Sequence, residues 1–176
     1  MKNPDDKHAS HPMTAPALVP MSAESYARFL ETSVSGYASQ NVESGRWPAH
    51  DALARSQAEY DKLLPQGMAT PDNHLFDIRD PDTDETVGSL WVAATDRGGA
   101  RIAFVYDIRI HPAHRRQGHA KRAFAALEPF VKGLGLSTIG LHVFAFNTEA
   151  RALYESLGYG VTSVNMHKYL EPDERA

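Results

Sequence analysis

The spacing of apolar residues changes twice along the chain, from helical steps to alternation and back, and that limits the layers it can build. Ala23, Ala27, Leu30, Val34 and Tyr37 recur at three- and four-residue steps, as does a stretch through Ala52, Leu53, Ala58, Leu63 and Leu64. Two N-terminal helices are expected, joined by Asn41 to Pro48, where Gly45 and Pro48 break the pattern beside Arg46 and Trp47. From His74 the period falls to two: HLFDIRD, the turn-rich PDTDE, TVGSLWVAAT, a turn at Asp96 to Gly99, then ARIAFVYDIRI. This predicts three antiparallel strands in a meander. In the third, Ile102, Phe104, Tyr106, Ile108 and Ile110 are expected on one face, with Val105, Asp107 and Arg109 on the other.

Helical spacing returns from His119 to Leu134, with Pro129 inside it. An interior proline costs about 3 kcal/mol, so a bend or an earlier end is expected there. The short apolar strand TIGLHVFAF, a helix from about Thr148 to Leu157 and a last strand from about Val161 to Leu170 complete the order α-α-β-β-β-α-β-α-β. The fold class is α/β, of the α+β type.

A chain of 176 residues is one domain's worth of sequence. Residues 1–20, polar and proline-rich, read as a flexible tail and not as a secretory signal, which leaves 21–176 as the single domain. No cysteine is present, so disulfides and thiolate nucleophiles are excluded. No apolar run of roughly eighteen residues occurs, so no membrane partner is expected and the default location is cytoplasmic. Lys and Arg number 18 against 22 Asp and Glu, a formal charge of -4, which disfavours a nucleic-acid partner.

Charge is distributed unevenly. Arg109, Arg115, Arg116, Lys121 and Arg122 fall close together with His111, His114 and His119 among them and no acidic residue. The cluster bridges a strand end and a helix start, where the first backbone N–H groups lack helical partners and carry partial positive charge. Such a terminus is an anion site, for which a di- or polyphosphate is the expected ligand. Gly118 permits a tight turn, and Ala120 leaves the first turn of the helix open. The histidines show no ligand spacing with carboxylates, so no metal is expected.

The run from Asp107 to Ala120, DIRIHPAHRRQGHA, resembles the cofactor motif of the GNAT N-acetyltransferase superfamily, with Arg115, Gly118 and Ala120 at its defining positions. The run Asn147-Thr-Glu-Ala-Arg-Ala-Leu-Tyr154-Glu-Ser-Leu-Gly-Tyr159 is similar to the family's second signature. The resemblance covers roughly residues 74 to 170. His119 departs from the usual aliphatic residue, and Ala120 replaces the commoner second glycine.

The resemblance implies a mixed, mostly antiparallel central sheet flanked by helices, with a splayed strand pair and acetyl-CoA as co-substrate in the gap. The backbone of Ile108, Arg109 and Ile110 would hold the pantetheine arm. N–H groups from Arg116 through Gln117, Gly118 and His119 to Lys121 would hold the pyrophosphate, and Asn147 would both cap its helix and contact the cofactor. Tyr154 matches the position of a general acid at the thioester sulfur, although its helical face also reads as plain core. For the base, His142 titrates near neutrality and lies where several relatives carry glutamate, while Asp107 on the neighbouring strand is the rival.

The implied activity is acetyl transfer from acetyl-CoA to a primary amine of a small molecule, peptide or protein, by direct attack and without a covalent enzyme intermediate. The alternative is a non-catalytic acyl-CoA-binding or regulatory module of the same fold. The family's habits are compatible with a homodimer, although the sequence itself shows no interface. Acceptor choice would lie in the N-terminal helices, the Asn41 to Pro48 loop and the last strand region, with Tyr37, Trp47 and Trp91 as an apolar wall.

Overall fold

The Ser22 hydroxyl accepts a 3.0 Å hydrogen bond from the Ser25 N–H and opens helix α1 (Ala23–Glu43). The computed structural model describes residues 18–168. Phe29, Ser33, Val34, Ala38 and Asn41 form the buried face of α1. The helix runs past its expected end, so Asn41 belongs to it and not to the connection. Its side chain donates to the Tyr37 carbonyl at 2.9 Å, and its own carbonyl accepts the N–H groups of Arg46 and Trp47, which turns the chain. Helix α2 (Ala52–Leu63) is tied to α1 where Ser56 Oγ donates to the Val34 carbonyl at 2.7 Å.

The meander forms where alternation placed it, as β2 (Asn73–Arg79), β3 (Thr86–Arg97) and β4 (Ala100–Ile110). A strand that the pattern did not announce, β1 (Leu18–Pro20), pairs antiparallel with β2. The expected tail is thereby corrected at its end: Leu18 packs on the core and the short strand covers the outer edge of β2. Residues 1–17 lie outside the described residues. Strand β5 (Ile139–Leu141) runs parallel to β4, against Ala103–Val105. The sheet has the order β1-β2-β3-β4-β5 and is mixed and mostly antiparallel, as expected.

Helix α3 (His119–Gly133) covers one face of the sheet through Ala123, Phe124, Leu127 and Val131, joined by Tyr154 and Leu157 from the region of α4 (Thr148–Ser156). The other face is covered by α1 and α2 through Phe29, Val34 and Tyr60, packed on Leu75 and Trp91. Pro129 does not end α3 early. Leu127 and Val131, on either side of it, are buried in the core, and their burial carries the helix across an exposed proline.

Two strand expectations are corrected. TIGLHVFAF contributes only Ile139–Leu141 to the sheet, because Asn147 N–H bonds the Phe144 carbonyl and Thr148 N–H bonds that of Phe146, turning this backbone away. The last strand is not formed over residues 161–168, where Val161, Val164 and Met166 are exposed. A three-residue β5 offers it little edge to pair with, and residues 169–170 lie outside the described residues. No helix among the described residues is long and apolar enough to cross a membrane.

Candidate active site

The basic turn sits between β4 and α3 with its backbone exposed. A 3-10 turn over Pro112–His114 follows β4. Arg116 (φ 62°) and Gly118 (φ 81°) then adopt left-handed conformations, and α3 begins with no side-chain cap. Left-handed residues at alternate positions of a turn favour a concave nest of amides. Among the described residues, none of the N–H groups from Arg116 to Lys121 has a hydrogen-bond acceptor. The side chains fold away: Arg115 Nε donates to the Ile110 carbonyl at 3.2 Å, Gln117 Nε2 to that of Ala113 at 3.2 Å, and Arg116 reaches Glu149 of α4 at 3.3 Å. What remains facing outward is an arc of unpaired amides on a cationic turn, a fit for a pyrophosphate.

His119 departs from an aliphatic pattern and yet behaves as core, being 2% exposed. An Arg122 Nη lies 2.9 Å from its Nδ1. A guanidinium only donates, so Nδ1 accepts and the proton sits on Nε2, which lies 3.7 Å from Asp80 Oδ2 in the β2–β3 turn. Burial and then the Arg122 charge push the imidazole pKa down, with Asp80 partly opposing them. The ring points inward to the hairpin turn, which leaves the His119 N–H with the nest.

Strand β4 carries a bulge that decides which side chains meet. Asp107 pairs opposite Trp91 and Val105 opposite Val92, so Tyr106 has no opposite number and the alternation shifts by one residue. The expected faces are therefore corrected: Tyr106 stacks on Trp91 with Asp107 and Arg109 toward α1, while Val105, Ile108 and Ile110 face α3. Beyond Val105, β4 continues to Ile110 with no partner strand on its β5 side among the described residues, and this is the splay.

Under α1, Asp107 Oδ2 accepts a 2.6 Å hydrogen bond from Ser33 Oγ. Burial raises the Asp107 pKa, while Arg109, the Ser33 bond and the Ile108 N–H pull it back. The Arg109 guanidinium lies against Gly36 of α1, where a Cβ would collide with it. Tyr154, on α4, packs edge-on against Phe124 at 5.5 Å. Burial and then the Asp107 charge push its phenol up to about 12. Asp107 and Tyr154 thus feel one another across the splay. Asn147 caps α4 as expected, accepting the Ala150 N–H at 3.2 Å.

His142 lies elsewhere in the cleft. Its ring meets Phe144 edge-on at 5.2 Å, and burial, then Arg46 and Arg97, lower its pKa. Tyr37 and Trp47 do form an aromatic wall, 5.3 Å between centroids, but Trp91 does not join it, being core at 1% exposure with Nε1 donating to Asn73. Ser33, Tyr60, Arg97 and Glu149 were missed by sequence reasoning. Only Ser33 left a signal, a lone hydroxyl on the apolar stripe with Phe29 and Tyr37.

Comparison with known proteins identifies the family and the fold. Residues 38–159 match the family described as "Acetyltransferase (GNAT) family". The chain is 37% identical over 153 residues to the uncharacterized N-acetyltransferase YycN of Bacillus subtilis, covering 87% of this chain and 97% of that protein. It is 33% identical over 150 residues to the uncharacterized N-acetyltransferase YdgE of the same organism, covering 85% and 95%. The crystal structure of YycN superposes with a TM-score of 0.83 at 36% identity, covering 89% of this chain and 99% of that one.

Proposed function

The chain belongs to the GNAT acetyltransferase family, and on that premise we propose that it moves the acetyl group of acetyl-CoA to a primary amine by direct attack. The observation that carries this reading is the arc of unpaired N–H groups from Arg116 to Lys121 beside the splay of β4 and β5. The arc would hold the pyrophosphate of acetyl-CoA, and the backbone of Ile108, Arg109 and Ile110 would hold its pantetheine arm, near Asp107 and Tyr154. The bound cofactor supplies an activated acyl carbon; the remaining chemistry is proton management by the chain.

Asp107 is the proton acceptor for the attacking amine. Desolvation under α1 raises its pKa, so it takes a proton more readily than an exposed carboxylate does, while the Ser33 bond fixes its position. Tyr154 is the acid. With its phenol near 12 the proton is in place at pH 7, and it passes to the thiolate sulfur as the carbon–sulfur bond breaks. A β4 backbone N–H at the splay steadies the charge that develops on the carbonyl oxygen. His142, flanked by Arg46 and Arg97, is the second candidate for the base; its lowered pKa keeps it neutral at pH 7 but weakens it.

The test is release of coenzyme A thiol from acetyl-CoA in the presence of primary amines, with N-acetylated product identified by mass. Amine-dependent release lost in Asp107→Asn and in Tyr154→Phe, and retained in His142→Gln, is the expected result. Retention in Asp107→Asn with loss in His142→Gln would move the base to the histidine.

A further inference from the structure

Beside the cleft two arginines stand over aromatic rings, and among the described residues neither has a counter-charge. The Arg46 guanidinium carbon stands 5.9 Å over the Phe144 ring. That of Arg97 stands 3.6 Å over Phe104 and 5.9 Å from the centre of Tyr106. Among the described residues neither guanidinium has an ion pair or a side-chain hydrogen bond. The carboxylate next to Arg97 in the chain, Asp96, is drawn to Arg101 at 3.6 Å. The two cations border one place: the Phe144 ring under Arg46 lies 5.2 Å from the His142 ring, and the Phe104 under Arg97 pairs in register with Gly140, two residues before His142.

Close contact with the Phe104 ring gives Arg97 a direction. A guanidinium laid on an aromatic face spends its flat side on the ring and keeps its in-plane N–H groups for a ligand, held in the fork that matches a carboxylate or phosphate. The chain as a whole is acidic, with a formal charge of -4, so local positive charge here is not the overspill of a basic surface. The patch is also joined to the reacting centre. Tyr37 has its ring 6.4 Å from Phe144 on one side and 6.4 Å from Tyr60 on the other, Tyr60 stands 5.5 Å from Trp91, and Trp91 pairs opposite Asp107 and stacks on the Tyr106 ring that Arg97 approaches. One aromatic floor therefore runs from the proton acceptor to the two arginines.

We propose that the acceptor carries an anionic group besides its amine, which Arg46 and Arg97 bind while the amine faces Asp107. The preferred substrates are amines bearing a carboxylate or phosphate, and polycationic amines are disfavoured by the same charges. This rests on the acetyl-transfer reading and narrows its acceptor.

The experiment uses the full chain, acetyl-CoA and matched free-amine tripeptides, Ala-Glu-Glu and Ala-Lys-Lys, with free glutamate and cadaverine as small counterparts. Both kcat/KM and direct calorimetric binding of each probe are read. The expected result is a preference of at least about tenfold for the acidic member, which electrostatic complementarity of this kind supports. Raised salt is expected to weaken it. In the Arg46→Gln, Arg97→Gln double variant the ratio is expected to fall toward unity while the KM for acetyl-CoA moves less than about twofold. A response to glutamate alone would assign a small acceptor, and a response to the tripeptide alone a peptide N-terminus. A preference for the cationic member, or a ratio that the double variant leaves unmoved, overturns the proposal and leaves acetyl transfer standing. Were acetyl transfer itself absent, calorimetric binding of the acidic over the basic probe would still decide the charge preference.

Discussion

Ser33 and Asp107 stand 74 residues apart in sequence, and in the fold the serine hydroxyl donates a 2.6 Å hydrogen bond to the aspartate. The contact joins α1 to the bulged part of β4 and fixes a carboxylate whose burial costs stability. Because the folded pKa of Asp107 is raised above 3.8, its folded form binds the extra proton between the two values, and stability falls as pH rises through that window. Asp107→Asn keeps a side-chain oxygen to accept the Ser33 bond and removes the buried charge. Thermal unfolding at pH 7 is expected at an unchanged or higher temperature, with kcat lower by about a hundredfold or more. A variant that is destabilised and yet active would reverse both assignments.

Tyr154→Phe deletes one oxygen from a ring that stays packed on Phe124 and Tyr159. A kcat loss of about a hundredfold is expected, with acetyl-CoA affinity little changed, as for a proton donor used only in the transition state. Steady-state kinetics beside calorimetry separates this from a packing role, which would show in affinity and melting temperature together.

Gly118→Ala is expected to disturb the nest twice. An L-residue at φ 81° costs about 1–2 kcal/mol, and the added Cβ would meet an Arg122 Nη at 3.0 Å. Melting a few degrees lower is expected for a domain of this size, with acetyl-CoA binding weakened by about tenfold. Unchanged binding would place the pyrophosphate elsewhere.

His119 makes stability depend on pH. The unfolded imidazole titrates near 6.5 and the folded one lower, so in the interval between them the unfolded chain binds the extra proton. The His119 contribution is complete above 6.5 and is lost as pH falls through the folded value. His74 and His142 are shifted the same way and add to the slope. In His119→Leu the melting temperature is expected to fall less between about pH 7 and about pH 5 than in the parent, and an identical slope would show that His119 does not titrate on unfolding.

The meander, α2, α3 and α4 were legible because each buries one face and leaves its period in the sequence. The turn from Arg115 to Ala120 was legible because the anion site proposed for it needs a glycine and exposed amides, which local sequence encodes. What escaped depends on partners distant in the chain. The bulge at Tyr106 is a mismatch between two strands, and neither strand's alternation announces it. β1 is three residues that read as tail until β2 supplies an edge. Ser33, Tyr60 and Arg97 become site residues only when α1, α2 and β3 are laid beside β4. His119, read as a departure near the phosphates, is a core residue because Asp80 and Arg122 come from either side to meet it.

Calorimetric titration of acetyl-CoA into the full chain and into the Arg115→Ala, Gly118→Trp double variant tests the cofactor site directly. The account predicts binding in the micromolar range for the parent and none for the variant, with both chains giving the same far-ultraviolet circular dichroism. Equal binding by the two proteins, or none by the parent, would contradict it.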